Sequence, residues 1–165
     1  MRELTSPDNH HLNAVMGWLE LGNTDEARAE LQRISPANRD HPYILEAEWR
    51  IHAEAKNWPQ ALAAARKLIE VAPDSPSGWI NQSFSLHEMK RTQEAWNQLC
   101  PVAEKFSSVS TIAYNLACYA CQLGNLTDAR EWLRKAIGIR GKEDIKQLAQ
   151  ADPDLRPLWE EIKGL

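Results

Sequence analysis

Cys118 and Cys121 are separated by two residues, a spacing that occurs in redox and metal-binding sites. A redox pair of this kind lies at a helix N-terminus after a strand, because the backbone N–H groups there lower the pKa of the thiol. A structural zinc site needs four ligands, commonly completed by a second cysteine pair or by two histidines. Neither context accompanies this pair, and only His87 is expected near the same face. We therefore predict that both cysteines are small apolar residues, buried or lining a groove; a metal- or redox-responsive site with His87 is the alternative.

The other histidines do not have the spacing of a metal-binding or catalytic site. His10 and His11 are neighbours at a frayed helix start and point in different directions, so we expect solvated side chains. His41 falls in a loop, and His52 replaces an apolar core position, where a satisfied and partly buried ring is expected. The sequence contains no G-x-x-x-x-G-K-[ST], G-x-S-x-G or H-E-x-x-H motif. We predict a protein without catalytic residues, metal or cofactor.

The composition is that of a globular protein without a strong electrostatic field. The chain has 165 residues, is 43% hydrophobic and carries a formal net charge of −4, so neither nucleic acid nor an anionic membrane is an expected partner. No apolar run is long enough to span a bilayer, and the first residues lack the apolar stretch of a secretory signal. Three cysteines do not make a disulfide framework, and this number fits a reducing compartment. We expect a cytoplasmic protein.

These residues are organised by an internal repeat. Alanine recurs every 34 residues, without an insertion, at Ala27, Ala61, Ala95 and Ala129. Apolar or small residues follow each alanine four and seven positions later, which is the spacing of one helix face. The second half of every unit is therefore predicted to be a helix.

The first half of every unit is also predicted to be helical, with a tight turn between the two helices. In the fourth unit the apolar pattern breaks at Gly124 and Asn125. Glycine can adopt the left-handed conformation that ends a helix, and Asn125 or Thr127 can cap the next one. Pro42 and Pro76 begin the second and third units. Proline is favoured in a first helical turn, where its missing N–H costs nothing, so both residues fit a helix start.

These features resemble the tetratricopeptide repeat family, whose 34-residue unit is a helix-turn-helix with a small residue where the helices cross. Trp79 matches the family's early aromatic residue, and Leu116-Ala117 matches its leucine-small pair. Gly124 matches the turn glycine and Pro73 the proline that closes a unit. The four repeated alanines match the crossing residue, and the period holds four times.

The resemblance implies an all-α fold, a right-handed α-solenoid of four antiparallel helix pairs followed by C-terminal capping helices. The repeats are expected to occupy residues 8–139 and the capping helices residues 142–165. The four repeats are bounded at about 8–41, 42–75, 76–109 and 110–139.

Two residues depart from the family pattern. Trp49 stands where a small residue is favoured, so wider or rearranged packing is expected between the first two units. Pro101 lies inside the second helix of the third unit and is expected to bend it.

The sequence after the repeats is expected to end in a helix that covers the last unit. Its apolar residues recur at helical spacing at Leu155, Leu158, Trp159 and Ile162. A terminal repeat needs such a cover because its stacking surface otherwise faces water.

The resemblance also implies a concave groove, lined by the first helix of each unit, in which a partner binds. Asparagine side chains there can hold the backbone of an extended peptide, and Arg50 is the main cation among several glutamates. The predicted groove residues are Asn13, Met16, Glu20, Glu46, Arg50, Glu54, Asn81, Phe84, His87, Glu88, Tyr114, Asn115, Cys118 and Gln122. This mixture favours a partner segment with Lys or Arg beside apolar side chains, and a solvated polar face is the alternative.

We therefore predict a non-catalytic scaffold that binds a peptide or partner protein in the groove. Its length and repeat number also resemble the small bacterial chaperones or adaptors that use this fold. A different alternative is self-association through Trp96 and Trp132 on the second helices. A monomer or a weak dimer is expected.

Overall fold

The structure is a computed structural model that describes residues 4–164. All its regular elements are helices, and no strand occurs in this range. The helices are α1 (Asp8–Glu20), α2 (Thr24–Gln32), α3 (Pro42–Glu54), α4 (Trp58–Val71), α5 (Pro76–Glu88), α6 (Thr92–Leu99), α7 (Ser110–Gln122), α8 (Leu126–Arg140), α9 (Lys142–Ala151) and α10 (Trp159–Lys163). Short 3-10 turns occur at Pro36–Asn38, Cys100–Val102 and Pro153–Leu158. None of the described helices combines the length and the apolarity that crossing a bilayer would need.

Four turns between helices share one backbone conformation at the 34-residue interval. The φ angle is positive at Gly22 (71°), Lys56 (54°), Lys90 (64°) and Gly124 (80°). This left-handed conformation costs roughly 1–2 kcal/mol for a residue other than glycine. Because lysine adopts it in two of the four turns, the packing of the two flanking helices must impose the turn.

Asparagine caps two of the helices that follow these turns. The side chain of Asn23 accepts a hydrogen bond from the N–H of Glu26 at 3.2 Å. The side chain of Asn125 accepts one from the N–H of Asp128, also at 3.2 Å. Of the two capping residues expected for α8, the structure therefore uses Asn125 and not Thr127.

The repeated alanines lie at fully buried positions of their helices. Ala27, Ala61, Ala95 and Ala129 are each 0% exposed. A larger side chain at these positions would have to displace its neighbours, which explains why a small residue returns at a constant interval.

The chain divides into two compact units, with the boundary between Ser85 and Leu86, inside α5. The first unit contains α1 to α4 and most of α5. Its core includes Leu12, Val15, Leu19, Ala27, Ile34, Ile44, Ala47 and Ile51. The buried carboxylate of Asp8 connects the start of α1 to the 3-10 turn that follows α2. It accepts hydrogen bonds from the N–H and hydroxyl of Ser35 and from the amide of Asn38.

Trp49 is accommodated in the first unit by specific contacts. Its indole Nε1–H donates to the hydroxyl of Ser85 at 3.0 Å. The ring of Phe84 meets the rings of Trp49 and Trp58 edge-on, with centroid separations of 6.2 and 5.8 Å. The large residue is therefore placed against α5 through an aromatic cluster and a hydrogen bond.

The second unit contains the end of α5 and helices α6 to α10. The helix expected to bend at Pro101 instead ends at Leu99, and the chain continues as a 3-10 turn. The expected last helix is also shorter than the sequence suggested, because Pro153–Leu158 is a 3-10 turn and α10 begins only at Trp159. Pro157 lies inside that turn, where its missing N–H opposes an α-helix.

The apolar residues of this C-terminal part are nevertheless buried. Leu155 is 0% exposed, and Leu158 and Ile162 are each 1% exposed. The indole Nε1–H of Trp159 donates to the carbonyls of Ala149 and Asp152, at 3.0 and 3.1 Å. These contacts fix the segment after α9 against the rest of the second unit.

Candidate functional site

An open cavity of about 430 Å³ lies in the first unit, between α1, α3 and the beginning of α5. Its lining residues are Leu12, Asn13, Met16, Tyr43, Glu46, Ala47, Trp49, Arg50, Ser77 and Asn81. The cavity has the size of a small-ligand or peptide side-chain pocket. A larger cavity of about 590 Å³ in the same unit is formed by the loops at residues 37–42 and 71–75, and it contains none of the predicted groove residues.

Five of the eight groove residues predicted in the first unit line the smaller cavity: Asn13, Met16, Glu46, Arg50 and Asn81. The other three do not. Glu20 is exposed at the end of α1, Glu54 forms an ion pair, and Phe84 belongs to the aromatic cluster.

Two asparagines supply polar groups to the cavity. The side chains of Asn13 and Asn81 form no hydrogen bond to another residue within 4–164, and Asn81 is only 8% exposed. Because neither amide is used by another side chain or backbone group in this range, both are available to an incoming donor or acceptor. An amide can satisfy a peptide N–H and a peptide C=O together, which suits an extended backbone.

The charged residues at the cavity leave one carboxylate without an ionic partner. Arg50 donates through Nε to the carboxylate of Glu54 at 3.1 Å, so its charge is already compensated. Glu46 forms no ion pair within the described part of the chain. The cavity is therefore apolar with a net acidic edge.

Sequence reasoning did not assign Tyr43, Trp49 and Ser77 to the cavity. Tyr43 is 55% exposed, a large fraction for an aromatic residue, and is the second residue of α3. The sequence marks Trp49 only as a departure from the family pattern that affects packing. The signal that would have identified both is an aromatic side chain on the same helix as Glu46 and Arg50, within one turn of one of them.

In the second unit the predicted groove residues meet a segment of the same chain. We name residues 152–158 the closing segment. Four predicted residues bind its first three residues: His87, Tyr114, Cys118 and Gln122. Glu88 and Asn115, also predicted there, are partly exposed. The face of α7 that was expected to be open is thus occupied.

The contacts to the closing segment are directed at two acidic residues. The Tyr114 hydroxyl and the Cys118 thiol both donate to Oδ2 of Asp152, at 2.9 and 3.5 Å. Nε2 of His87 lies 2.8 Å from Oδ2 of Asp154. The side-chain amide of Gln122 donates to the carbonyl of Asp154 at 2.9 Å.

The environment of the cysteine pair opposes thiolate chemistry. Burial raises the pKa of Cys118 well above its ordinary value, and the nearby carboxylate of Asp152 adds to the effect. Burial also raises the pKa of Cys121. Within residues 4–164, no group of three His, Cys, Asp or Glu side chains has an arrangement that could hold a metal ion. The pair lies within α7 and shows no feature of a reactive site.

The two tryptophans considered for self-association contact each other. The rings of Trp96 and Trp132 meet edge-on with centroids 6.4 Å apart, and Nζ of Lys135 lies 3.8 Å from the centroid of the Trp132 ring. Both tryptophans are partly buried. Much of their apolar surface is therefore used within the second unit.

The fold matches solved tetratricopeptide repeat proteins over nearly the whole chain. A thermophilic TPR protein of Thermus thermophilus, TTC0263, is 14% identical with a TM-score of 0.72, covering 96% of this chain and 100% of that one. MamA from Desulfovibrio magneticus RS-1, residues 41 to the end, is 16% identical with a TM-score of 0.75, covering 98% and 94%. No protein-family model and no curated protein matches the sequence. The predicted all-α fold of the tetratricopeptide type is confirmed.

Proposed function

We propose that the protein is a non-catalytic interaction module and that the cavity of the first unit binds a segment of a partner protein. The cavity between α1, α3 and α5 carries this proposal, because it combines apolar walls with two amides that lack a hydrogen-bond partner among the described residues. The tetratricopeptide-type fold supports it, since helix pairs of this kind present extended binding surfaces.

The ligand that this cavity fits is an extended segment with an apolar side chain next to Lys or Arg. Met16, Tyr43 and Trp49 offer the apolar contact surface, and Glu46 offers the carboxylate without an ionic partner in residues 4–164. Asn13 and Asn81 lie where they can bond the backbone of the segment. Complementary charge contributes selectivity more than affinity, so the basic residue should decide which segments bind.

Selection from a phage library of random decapeptides tests this chemistry. The wild-type protein is expected to enrich sequences in which Lys or Arg neighbours Leu, Met or Phe. The Glu46→Lys variant is expected to reverse the preference toward Asp or Glu, because the charge at the cavity edge is reversed. Asn81→Ala should weaken the selected peptides about tenfold, which corresponds to the loss of one or two hydrogen bonds.

Glu20→Lys is the matched control, because it makes the same charge change on α1 outside the cavity. It should leave the selected sequences unchanged, and circular dichroism should show that all variants are folded. If Glu46→Lys selects the same sequences as the wild type, or if no peptide is enriched over the empty support, the proposal is wrong.

We also propose that the protein works in a reducing compartment, the cytoplasm. The three cysteines are free, as expected where thiols stay reduced. Protein isolated from cells under alkylating conditions should carry the alkyl group on all three thiols after unfolding. A disulfide between any two of them would contradict this location.

A further inference from the structure

The closing segment shows which chemistry the α7 face binds. Asp152 places one carboxylate oxygen between the Tyr114 hydroxyl and the Cys118 thiol, while Asp154 places one beside His87. The second oxygen of Asp152 accepts the N–H of Asp154 at 3.0 Å, which holds the segment in a tight turn. The surface therefore contacts two acidic residues, spaced by one residue, in a defined conformation.

The donors on the face suit carboxylates. Nδ1 of His87 pairs with the hydroxyl of Thr92 at 3.0 Å and Nε2 pairs with Asp154, so both ring nitrogens have hydrogen-bond partners. The amide of Gln122 adds a bond to the backbone carbonyl of Asp154. These contacts select both the side chains and the backbone of a bound segment.

Covering an apolar surface does not require these acidic residues. Leu155 and Leu158 are almost completely buried and supply the apolar contacts of the closing segment. A carboxylate placed against a largely buried face loses hydration, and this cost is offset only where donors are aimed at it. The donors opposite Asp152 and Asp154 thus form a recognition surface in addition to an apolar contact.

We propose that this face of α7 is a second binding surface, specific for a partner segment with the pattern Asp-x-Asp, and that residues 152–154 are its resident ligand. A partner's segment binds when it replaces the resident one. The proposal does not depend on the cavity of the first unit, which is expected to bind a segment of opposite charge.

The resident ligand is tethered, and this sets the condition for replacement. A short tether gives an effective concentration on the order of 1 mM, so a free peptide competes only near that concentration. A partner that also contacts another part of the protein avoids this limit. Removal of the two resident carboxylates should allow a free peptide to bind at a lower concentration.

The thiol of Cys118 reports whether the face is occupied, because it is 5% exposed and contacts Asp152. The test measures how fast iodoacetamide labels Cys118 in the full chain, with the site of labelling assigned by fragmentation mass spectrometry. Because the Asp152 carboxylate also raises the pKa of Cys118, the labelling rates are compared per thiolate, from a pH profile of each variant. On that basis Asp152→Ala/Asp154→Ala should label at least about tenfold faster than wild type. Loss of even one charge-assisted hydrogen bond raises by that factor the fraction of molecules in which the closing segment has left the face. Cys100 serves as the internal reference for general unfolding.

The probe is a synthetic peptide that copies residues 150–158. At about 1 mM it should restore protection of Cys118 in the double variant, and the same peptide with both Asp residues replaced by Asn should not. Unchanged labelling of the double variant overturns the proposal, as does fast labelling that the acidic peptide fails to slow. Equal protection by the Asn peptide overturns the charge specificity.

If the double variant does not fold, Cys100 and Cys118 will be labelled at equal rates. In that case Tyr114→Phe provides the test instead. This variant removes one donor to Asp152 and keeps the ring. It should raise the labelling rate of Cys118 several-fold and leave that of Cys100 unchanged. A labelling rate equal to that of the wild type contradicts the proposal.

Discussion

The repeated alanines lead to a sharp prediction at Ala61. This residue lies in α4 and is 0% exposed, whereas Ala63, two positions later in the same helix, is exposed. Leucine has nearly the helix propensity of alanine, so exchanging alanine for leucine tests packing alone. Ala61→Leu adds three carbon atoms to a side chain that is fully buried.

Overpacking of this kind typically costs about 1–3 kcal/mol of the free energy of unfolding. A chain of this size has a urea dependence of about 2 kcal/mol per molar, so the unfolding midpoint should fall by about 0.5–1.5 M. Urea titrations followed by far-UV circular dichroism measure this shift, and tryptophan fluorescence checks that both probes give the same midpoint.

Ala63→Leu is the matched control and should change the free energy of unfolding by less than about 0.5 kcal/mol. If the midpoints of the two variants lie within about 0.2 M of each other, the alanine period does not mark a close helix crossing, and the packing explanation of the repeat is wrong.

Three further predictions follow from local features. Gly124→Ala should lower the free energy of unfolding by about 1 kcal/mol, because φ is +80° at this position. Gly138→Ala should raise it by about 0.5–1 kcal/mol, because Gly138 lies inside α8 with open space around the added methyl group. Thermal melts of the two variants should therefore shift in opposite directions. Burial lowers the pKa of His52 below 6.5, so the unfolded state binds the proton first and stability should fall as the pH drops below about 6.5. Urea midpoints at about pH 7.5 and pH 5 should differ less in His52→Gln than in the wild type, and an unchanged difference contradicts this assignment. A double-mutant cycle with Trp49→Phe and Ser85→Ala should give a coupling of about 1 kcal/mol for their hydrogen bond, and a value near zero means that the bond adds no stability.

The helix pairs could be predicted because the signals for them are local. The interval between Ala27 and Ala61 places the second helices, and the break at Gly124 and Asn125 places a turn. Capping, glycine conformation and helical periodicity involve residues within about one turn of each other. The end of α6 before Pro101 was less predictable, because a proline can either bend or end a helix and the choice depends on surrounding contacts.

The C-terminal helix was predicted incorrectly for a related reason. The spacing of Leu155, Leu158 and Ile162 fits an α-helix, yet a 3-10 turn followed by the short α10 buries the same side chains. Periodicity identifies which residues are buried more reliably than it identifies the backbone that buries them. Pro157 was the available signal, since its ring opposes the α-helical hydrogen bond.

The predicted groove residues occupy equivalent faces of their helices, but the structure places them in two different environments. Asn13, Met16 and Glu46 line a cavity in the first unit. Tyr114 and His87 bind acidic residues of the closing segment instead. Equivalent positions in a repeat share a helix face, but the repeat does not specify what lies against that face.

The amino-acid sequence alone was sufficient for the helix-turn-helix pattern and its 34-residue interval, because these depend on interactions between near neighbours. Tertiary structure decided which faces are accessible, since the pair of His87 and Asp154 joins positions 67 residues apart. The free energy of such a contact depends on the geometry of the whole second unit. No periodic pattern in the sequence encodes that geometry, so only the folded chain distinguishes an open surface from an occupied one.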